Sequence, residues 1–336
     1  MKVLVTGATG FTGQHLVRAL VAEGQHVRII ARSAERARAA FGESVEIETG
    51  DVADAALVRR AVPGCRVIYH LAAAYREAGL PDVRYREVHV DSTRLLLEAA
   101  EAEGIERFVH CSTVGVLGHI SHPPADETAP YNPGDVYQAT KAEGERLALE
   151  FSSRHAIPLT VARPTAIYGP GDLRLLKLFR MIARRRFVMI GSGEVFYHMV
   201  HVDDLVAGLR LLADRPEAVG EVFILGGEGY QSLNEIAALI ARIVGAPPPR
   251  WHVPAMPIQM AGSVCEKICA PFGISPPIYR RRVDFFTKSR AFSIAKARRL
   301  LGYDPKIDLE EGFVATTRWY SEHGYLPAPS AGATGA

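Results

Sequence analysis

An α/β fold with a doubly wound parallel sheet, followed by a smaller α/β lobe, is predicted for this 336-residue chain. Two observations predict it. Short β-branched runs alternate with longer stretches of helical period from residue 2 to residue 163, and beyond that point the alternation loosens into Gly- and Pro-rich turns such as Tyr168-Gly169-Pro170-Gly171. Alternation of that kind is how parallel strands joined by crossover helices look in a sequence.

The strands, in order, are Lys2–Thr6, His26–Ala31, Val45–Thr49, 66–70, Arg107–Cys111 and 159–163. Their near-continuous apolar character is expected of a sheet buried on both faces. Helices are expected at 11–23, Ala34–Phe41, 54–62, 83–103 and 136–154, where apolar residues recur every three or four positions. In the second half, Ser232 with Glu235 and Asp308 with Glu311 have capping-box spacing and mark two helix starts. Residues 251–274 form an apolar segment between proline clusters and contain Met256, Met260, Cys265, Cys269 and Phe272. Such a segment suits either an adaptable surface closing over a greasy ligand or a helix packed on the body or at a dimer contact. The last ten residues, 327–336, read as a flexible tail.

With 39 basic and 37 acidic residues the chain carries a formal charge of +2, which gives no reason to expect nucleic acid or an anionic membrane as partner. Arg184-Arg185-Arg186 and Arg280-Arg281-Arg282 are local exceptions, read as solvated helix faces or ends, with phosphate binding as the alternative. Four cysteines, Cys65, Cys111, Cys265 and Cys269, make no paired metal-ligand spacing with histidines, so no metal is expected and the thiols fit a reducing, cytoplasmic setting. The N-terminal apolar run is broken at Gly7, before a signal-peptide core could form, and no apolar run is long enough to span a bilayer.

Directly after the first strand comes Gly7-Ala8-Thr9-Gly10-Phe11-Thr12-Gly13, three glycines at three-residue spacing that lead into a helix. Backbone without Cβ lets a pyrophosphate approach the main chain and sit at the positive end of that helix. Gly7, Thr9, Gly10, Phe11, Thr12 and Gly13 are therefore the expected phosphate-binding turn. Where an acidic side chain would hold the ribose 2′-hydroxyl of NAD, the second strand ends Ile30-Ala31-Arg32-Ser33. A cation there favours a 2′-phosphate, so NADP is expected, with NAD possible if Arg32 faces solvent and Glu35 or a main-chain group holds the ribose. Asp51 and Val52, after the third strand, and Leu71, Ala72 and Ala73, after the fourth, complete the expected cofactor contacts.

Tyr137 and Lys141 stand at i and i+4 of a predicted helix, hence on one face, one turn apart. An ammonium beside a phenol, helped by an oxidised nicotinamide ring, stabilises the phenolate and makes tyrosine usable as an acid/base group near neutral pH. Thr113, at the end of the fifth strand, is the hydroxyl expected to hold the substrate oxygen, with Ser112 in support. Lys141 is expected to bind the nicotinamide ribose as well.

These residues resemble the extended short-chain dehydrogenase/reductases, the NAD(P)-dependent epimerase/dehydratase group that includes 3β-hydroxysteroid dehydrogenases and dihydroflavonol reductases. The resemblance covers residues 1–325. It rests on the glycine turn, on Gly50-Asp51-Val52, His70-Leu71-Ala72-Ala73, Thr113 with Tyr137 and Lys141, Arg163-Pro164 followed by Tyr168-Gly169-Pro170-Gly171, and Val200-His201-Val202-Asp203-Asp204. It implies a dinucleotide-binding Rossmann domain over 1–165, with some later segments returning to it, and a substrate domain over 166–326. It also implies Pro164 as part of the nicotinamide pocket and a homodimer paired through two long helices.

Departures from the sugar-nucleotide branch of that group bear on the substrate. Ala166 stands where that branch usually has Asn and Tyr197 where it has Arg; separately, His89 stands where the family as a whole often has Asn in the helix before the fifth strand. Losing a charge-assisted contact costs about 1.5–3 kcal/mol, so a nucleotide sugar needs Arg174, Lys177 or the arginines at 184–186 to compensate. The expected activity is hydride transfer to or from a hydroxyl or carbonyl carbon of a small apolar, steroid- or flavonoid-like molecule. A nucleotide-sugar epimerase or dehydratase is the alternative, and a dinucleotide-sensing regulator without turnover is disfavoured because both Tyr137 and Lys141 are present.

Overall fold

The computed structural model describes residues 1–74, 80–258, 260 and 280–327. Seven parallel strands form its main sheet: β1 (Lys2–Thr6), β2 (His26–Ala31), β3 (Val45–Thr49), β4 (Val67–His70), β5 (Arg107–Cys111), β6 (Leu159–Pro164) and, after β7 (Ala166–Tyr168), β8 (Met189–Ile190) and β9 (Phe196–His201), β10 (Val222–Leu225). Their order is β10-β6-β5-β4-β1-β2-β3, so the winding reverses between β1 and β4. Such a reversal opens a crevice at the carboxyl ends of the two strands, where α/β sheets of this kind take ligands.

Within β1 the residues alternate between the two faces. Val3 and Val5 belong to one core cluster with Leu16, Val17 and Leu20 of α1 (Phe11–Ala22). Leu4 belongs to the other, with Leu57 and Val58 of α3 (Ala55–Ala61), which follows α2 (Ala34–Phe41). All three β1 residues are fully buried. Each buried Val or Leu side chain contributes about 1.5–3 kcal/mol, which explains why the strand can be apolar throughout.

The helical stretch expected over 83–103 is three pieces: α4 (Asp82–Arg86), a π-helical turn Glu87–Asp91, and α5 (Ser92–Glu103). The long helix α6 (Val136–His155) starts at Asp135, whose carboxylate accepts the Gln138 N–H. After it come α7 (Leu176–Ala183), α8 (Val202–Asp214) and α9 (Leu233–Ile243). α8 packs on the main sheet through Leu205, Leu209 and Leu212.

A third core cluster lies in the smaller lobe, where Phe179 of α7, Ile236 and Ile240 of α9 and Phe313 and Tyr320 of the helix Leu309–Glu322 pack together. Its sheet has the order β11 (Tyr230–Ser232), β9, β7, with β7–β9 parallel and β9–β11 antiparallel. Met189–Ile190 pairs in parallel with β12 (His252–Val253). Ser232 and Glu235 form a reciprocal capping box, and the Asp308 carboxylate accepts the Glu311 N–H at 2.7 Å.

Other sequence features have plain structural roles. Arg184, Arg185 and Arg186 are exposed at the end of α7. Cys65 and Cys111 are free thiols, while Cys265, Cys269, most of the apolar segment 251–274 and the side chains of Arg280, Arg281 and Arg282 lie outside the described residues. Among the described residues, no helix is long and apolar enough to cross a membrane and no cluster of His, Cys, Asp and Glu is arranged to hold a metal ion.

Candidate active site

The crevice between the ends of β1 and β4 widens into one cavity of about 710 Å³. Its wall includes Gly7, Thr9, Gly10, Phe11, Thr12 and Gly13 from the turn after β1, Arg32 from the end of β2, and Asp51 and Val52 after β3. Leu71, Ala72 and Ala73 after β4, Thr113 after β5, Tyr137 and Lys141 on α6, and Pro164 at the end of β6 line the same space. The residues expected to form the phosphate turn, the further dinucleotide contacts and the Thr113, Tyr137 and Lys141 group thus border a single cavity, whereas Glu35, the alternative ribose contact, does not.

The glycine turn is built for close approach. Gly7 has φ +71, and a Cβ there would lie 2.7 Å from the main chain of Leu71 and Ala72, locking the turn against the end of β4. At Gly13 a Cβ would lie 2.2 Å from the Gly7 carbonyl, so α1 can start against the strand end only without a side chain. The N-cap of α1 is Gly10, with no side-chain acceptor and no acidic residue in the first turn. The positive end of α1 is therefore left for an anion entering the cavity. That is the observation on which a dinucleotide fits here.

At the far end of this arm Arg32 is exposed, and Arg36, in the first turn of α2, lines the cavity with it. Sequence reading singled out Arg32 and passed over Arg36, which reaches the cavity from the first turn of α2 after the Ser33 cap. Asp51 is already engaged: its Oδ1 accepts the Ala53 N–H at 2.9 Å and its other oxygen pairs with Arg84. A carboxylate keeps spare lone pairs after two such contacts, so the expected adenine contact is compatible with this pairing.

On the catalytic face of α6, the Lys141 ammonium is 3% exposed and donates to the Cys111 carbonyl at 2.5 Å, fixing the helix to the end of β5. Burial lowers its pKa, opposed by the Cys111 thiol and Glu145. Thr113 follows at the start of a short 3₁₀ turn, where its hydroxyl accepts the Gly115 N–H at 3.1 Å. Tyr137, half-buried, meets the His89 ring edge-on with centroids 5.4 Å apart. The Ser112 hydroxyl bonds to Glu145, one turn beyond Lys141, while Ser112 itself also lines the cavity.

Behind the strand ends runs a second network. Thr6 Oγ1 accepts the Ala72 N–H at 3.2 Å, so its own proton goes to His70 Nδ1 at 2.8 Å. His70 Nε2–H then donates to Thr93 Oγ1 at 3.0 Å, and the Thr93 hydroxyl donates to the His89 carbonyl at 2.8 Å. His70 stays neutral, its pKa pushed down to about 3 by burial, with the Lys141 charge acting in the same direction.

The outer part of the cavity is lined by Ile167, Leu175, Tyr197, Met199, Phe285 and Phe292 together with Arg174, Lys288 and Arg290. Tyr197 and Phe285 stack edge to face at 5.1 Å, and Ala166 lies beside them on the wall. Arg174 pairs with buried Asp172 at 2.6 Å, and Lys288 pairs with Asp284 at 2.9 Å. Among the described residues Arg290 pairs with no carboxylate. Lys177 and the arginines at 184–186 do not line the cavity. Lys288 and Arg290 were not singled out from the sequence, where nothing ties residues so far along the chain to the turn after β1.

Fold and cavity together define a nucleotide-binding α/β enzyme of the doubly wound type, its site at the strand-order reversal. The chain belongs to the NAD dependent epimerase/dehydratase family, whose model matches residues 3–226. A nicotinamide dinucleotide is the cofactor typical of that family. A dTDP-glucose 4,6-dehydratase of Streptomyces griseus is 31% identical over 96% of this chain and 94% of its own length. An Arabidopsis thaliana protein, 3beta-hydroxysteroid-dehydrogenase/decarboxylase isoform 1, is 29% identical over 95% of this chain and 79% of its own length. Among solved structures, the dTDP-glucose 4,6-dehydratase DesIV from Streptomyces venezuelae, with NAD bound, superposes with a TM-score of 0.78 at 26% identity over 97% of this chain and 99% of that one.

Proposed function

We propose that the protein is an NADP-dependent oxidoreductase acting on a hydroxyl or carbonyl carbon of an apolar, steroid- or flavonoid-like substrate. One observation carries the chemistry: Tyr137, Lys141 and Thr113 border the same cavity as the glycine turn that receives the dinucleotide. The nicotinamide, when bound, supplies or accepts the hydride. Tyr137 passes a proton to the substrate oxygen during reduction and takes it back during oxidation. Lys141, held by the Cys111 carbonyl, keeps a positive charge one turn away and so favours the phenolate form, while Thr113 holds the substrate oxygen in both redox states.

Arg32 and Arg36 support the preference for NADP, since two guanidinium groups lining the cavity just after β2 match a 2′-phosphate. The apolar substrate class is supported by Tyr197, Phe285, Phe292 and Met199 in the outer wall, and by Ala166 and Tyr197 standing where sugar-nucleotide enzymes carry diphosphate contacts. A ketosteroid probe such as progesterone, offered with NADPH, is expected to cause net loss of NADPH absorbance.

A second reading has its own observation. Arg290 lines the cavity among the described residues without a carboxylate, and Arg174 and Lys288, each paired with an aspartate, line the same cavity, so its wall also offers cations to a diphosphate. UDP-glucose or dTDP-glucose converted with no net change in the cofactor, and no turnover of ketones, would replace the apolar-substrate reading by an epimerase or dehydratase.

A further inference from the structure

The π-helical turn Glu87–Asp91 has His89 at its centre. A π turn carries one extra residue per hydrogen-bonded ring, so it resets the phase at which the following side chains leave the helix, and such turns are frequent at functional sites. Here the phase points His89 between the loop after β4 and the face of α6. The fit is close: Gly144 of α6 lies against this turn, and a Cβ there would sit 2.1 Å from the His89 carbonyl oxygen.

Each polar atom of the ring has a partner. The Ala74 N–H donates to His89 Nε2 at 3.0 Å, which fixes the neutral tautomer with its proton on Nδ1. His89 Nδ1–H then donates to Thr140 Oγ1 at 2.8 Å, and the Thr140 hydroxyl donates onward to the Val136 carbonyl at 2.8 Å. The same ring stands at 83° to the Tyr137 ring, 5.4 Å between centroids. The titratable groups facing it are Tyr85, with centroids 6.0 Å away, Tyr137, Lys141, His70 and His110. Burial, reinforced by the Lys141 charge, holds the imidazole neutral and pushes its pKa down to about 2, so it adds no positive charge beside the ammonium.

We propose that His89 is a positioning residue for Tyr137: its ring ties Ala74, which follows Leu71, Ala72 and Ala73, to the catalytic helix and sets the orientation of the phenol toward the nicotinamide side of the cavity. The proposal rests on the reading of Tyr137 as the acid/base group. It predicts that the two hydrogen bonds at either end of the imidazole, and not its bulk alone, govern how readily Tyr137 ionises. His89→Phe keeps an aromatic ring and loses both bonds, His89→Gln can restore the bond from Ala74, and Thr140→Val removes the hydroxyl partner while leaving His89 in place.

The test is a pH titration of phenolate ultraviolet absorbance with NADP⁺ bound, each variant being compared with its own Tyr137→Phe counterpart so that the difference reports Tyr137. His89→Phe and Thr140→Val are expected to raise the Tyr137 ionisation by about half a pH unit or more, with His89→Gln returning toward wild type. With progesterone and NADPH, kcat is expected to fall about 10- to 100-fold in His89→Phe, while NADPH affinity, read by fluorescence, stays within about threefold. A Tyr137 titration unchanged in Thr140→Val and in whichever His89 variants fold overturns the proposal, even if activity falls. Turnover that survives Tyr137→Phe overturns the acid/base reading, and the titration still decides on His89.

Discussion

Glu145 and Arg163 form an ion pair that is almost sealed from solvent, the carboxylate at 0% and the guanidinium at 3% exposure. Arg163 Nη2 lies 2.6 Å from Glu145 Oε1, the Tyr131 hydroxyl donates to the same carboxylate at 2.7 Å, and Ser112 binds its other oxygen. Glu145 stands one turn beyond Lys141, Ser112 precedes Thr113 and Arg163 precedes Pro164. One carboxylate thus fastens the ends of β5 and β6 to the helix that carries the proposed catalytic pair.

Removing one member of such a pair leaves a buried charge without compensation. Glu145→Ala is expected to lower unfolding stability by about 3–5 kcal/mol, read from the urea midpoint. Glu145→Leu combined with Arg163→Met is expected to regain most of that loss, because no lone charge remains. Equal destabilisation in the single and double variants would mean that packing, not charge, is at stake.

Arg32 and Arg36 are expected to discriminate between the cofactors. Replacing both with alanine should weaken NADP⁺ binding by about 10- to 100-fold, from the loss of charge-assisted contacts, and leave NAD⁺ affinity nearly unchanged. Isothermal titration with both nucleotides measures this. Parallel losses for NAD⁺ and NADP⁺ would remove the 2′-phosphate from the account.

Acid should destabilise the fold earlier than its surface carboxylates alone would suggest. Burial lowers the pKa of His70 to about 3 and of His89 to about 2 from the ordinary value of 6.5, and lowers that of His110 as well. Each is neutral when folded and takes up a proton on unfolding, so its contribution is complete above pH 6.5 and is lost as the pH falls. The expected slope is up to about 1.4 kcal/mol per pH unit for each such histidine between pH 6.5 and the folded value. Urea midpoints that stay level from pH 7 to pH 5 would contradict this.

At the glycine turn, Gly13→Ala should abolish NADP⁺ binding or folding, because a Cβ there meets main-chain atoms at 2.2 and 2.7 Å. Gly24→Ala serves as the contrast: φ is +75 but nothing lies within 4 Å, so only backbone strain remains, about 1–2 kcal/mol. Nucleotide titration alongside thermal unfolding separates the two.

Much of this was legible in the sequence because the constraints are local. Gly10 and Gly13 are required by contacts with the Gly7 carbonyl inside the same turn, and Tyr137 and Lys141 share a face by helical geometry alone, although the crowding of Gly7 itself comes from Leu71 and Ala72. Features set by distant contacts were not legible. Val222–Leu225 is a four-residue apolar run whose pairing with β6 depends on the whole second half of the chain. The π turn at Glu87–Asp91 lies inside a pattern that a 3.6-residue period fits well enough, so one unbroken helix was expected. Arg84 reaches Asp51, and Arg290 reaches the outer wall, only through the tertiary fold.

The central claim is that the Tyr137 phenol moves the proton that accompanies hydride transfer. Single-turnover reduction of a ketone by bound NADPH, compared between wild type and Tyr137→Phe, tests it most directly. Nucleotide affinity is expected to stay near the wild-type value while the rate of the chemical step falls by about 100-fold or more, the contribution usual for a positioned acid/base group. A Tyr137→Phe protein that oxidises NADPH at close to the wild-type rate would contradict the account.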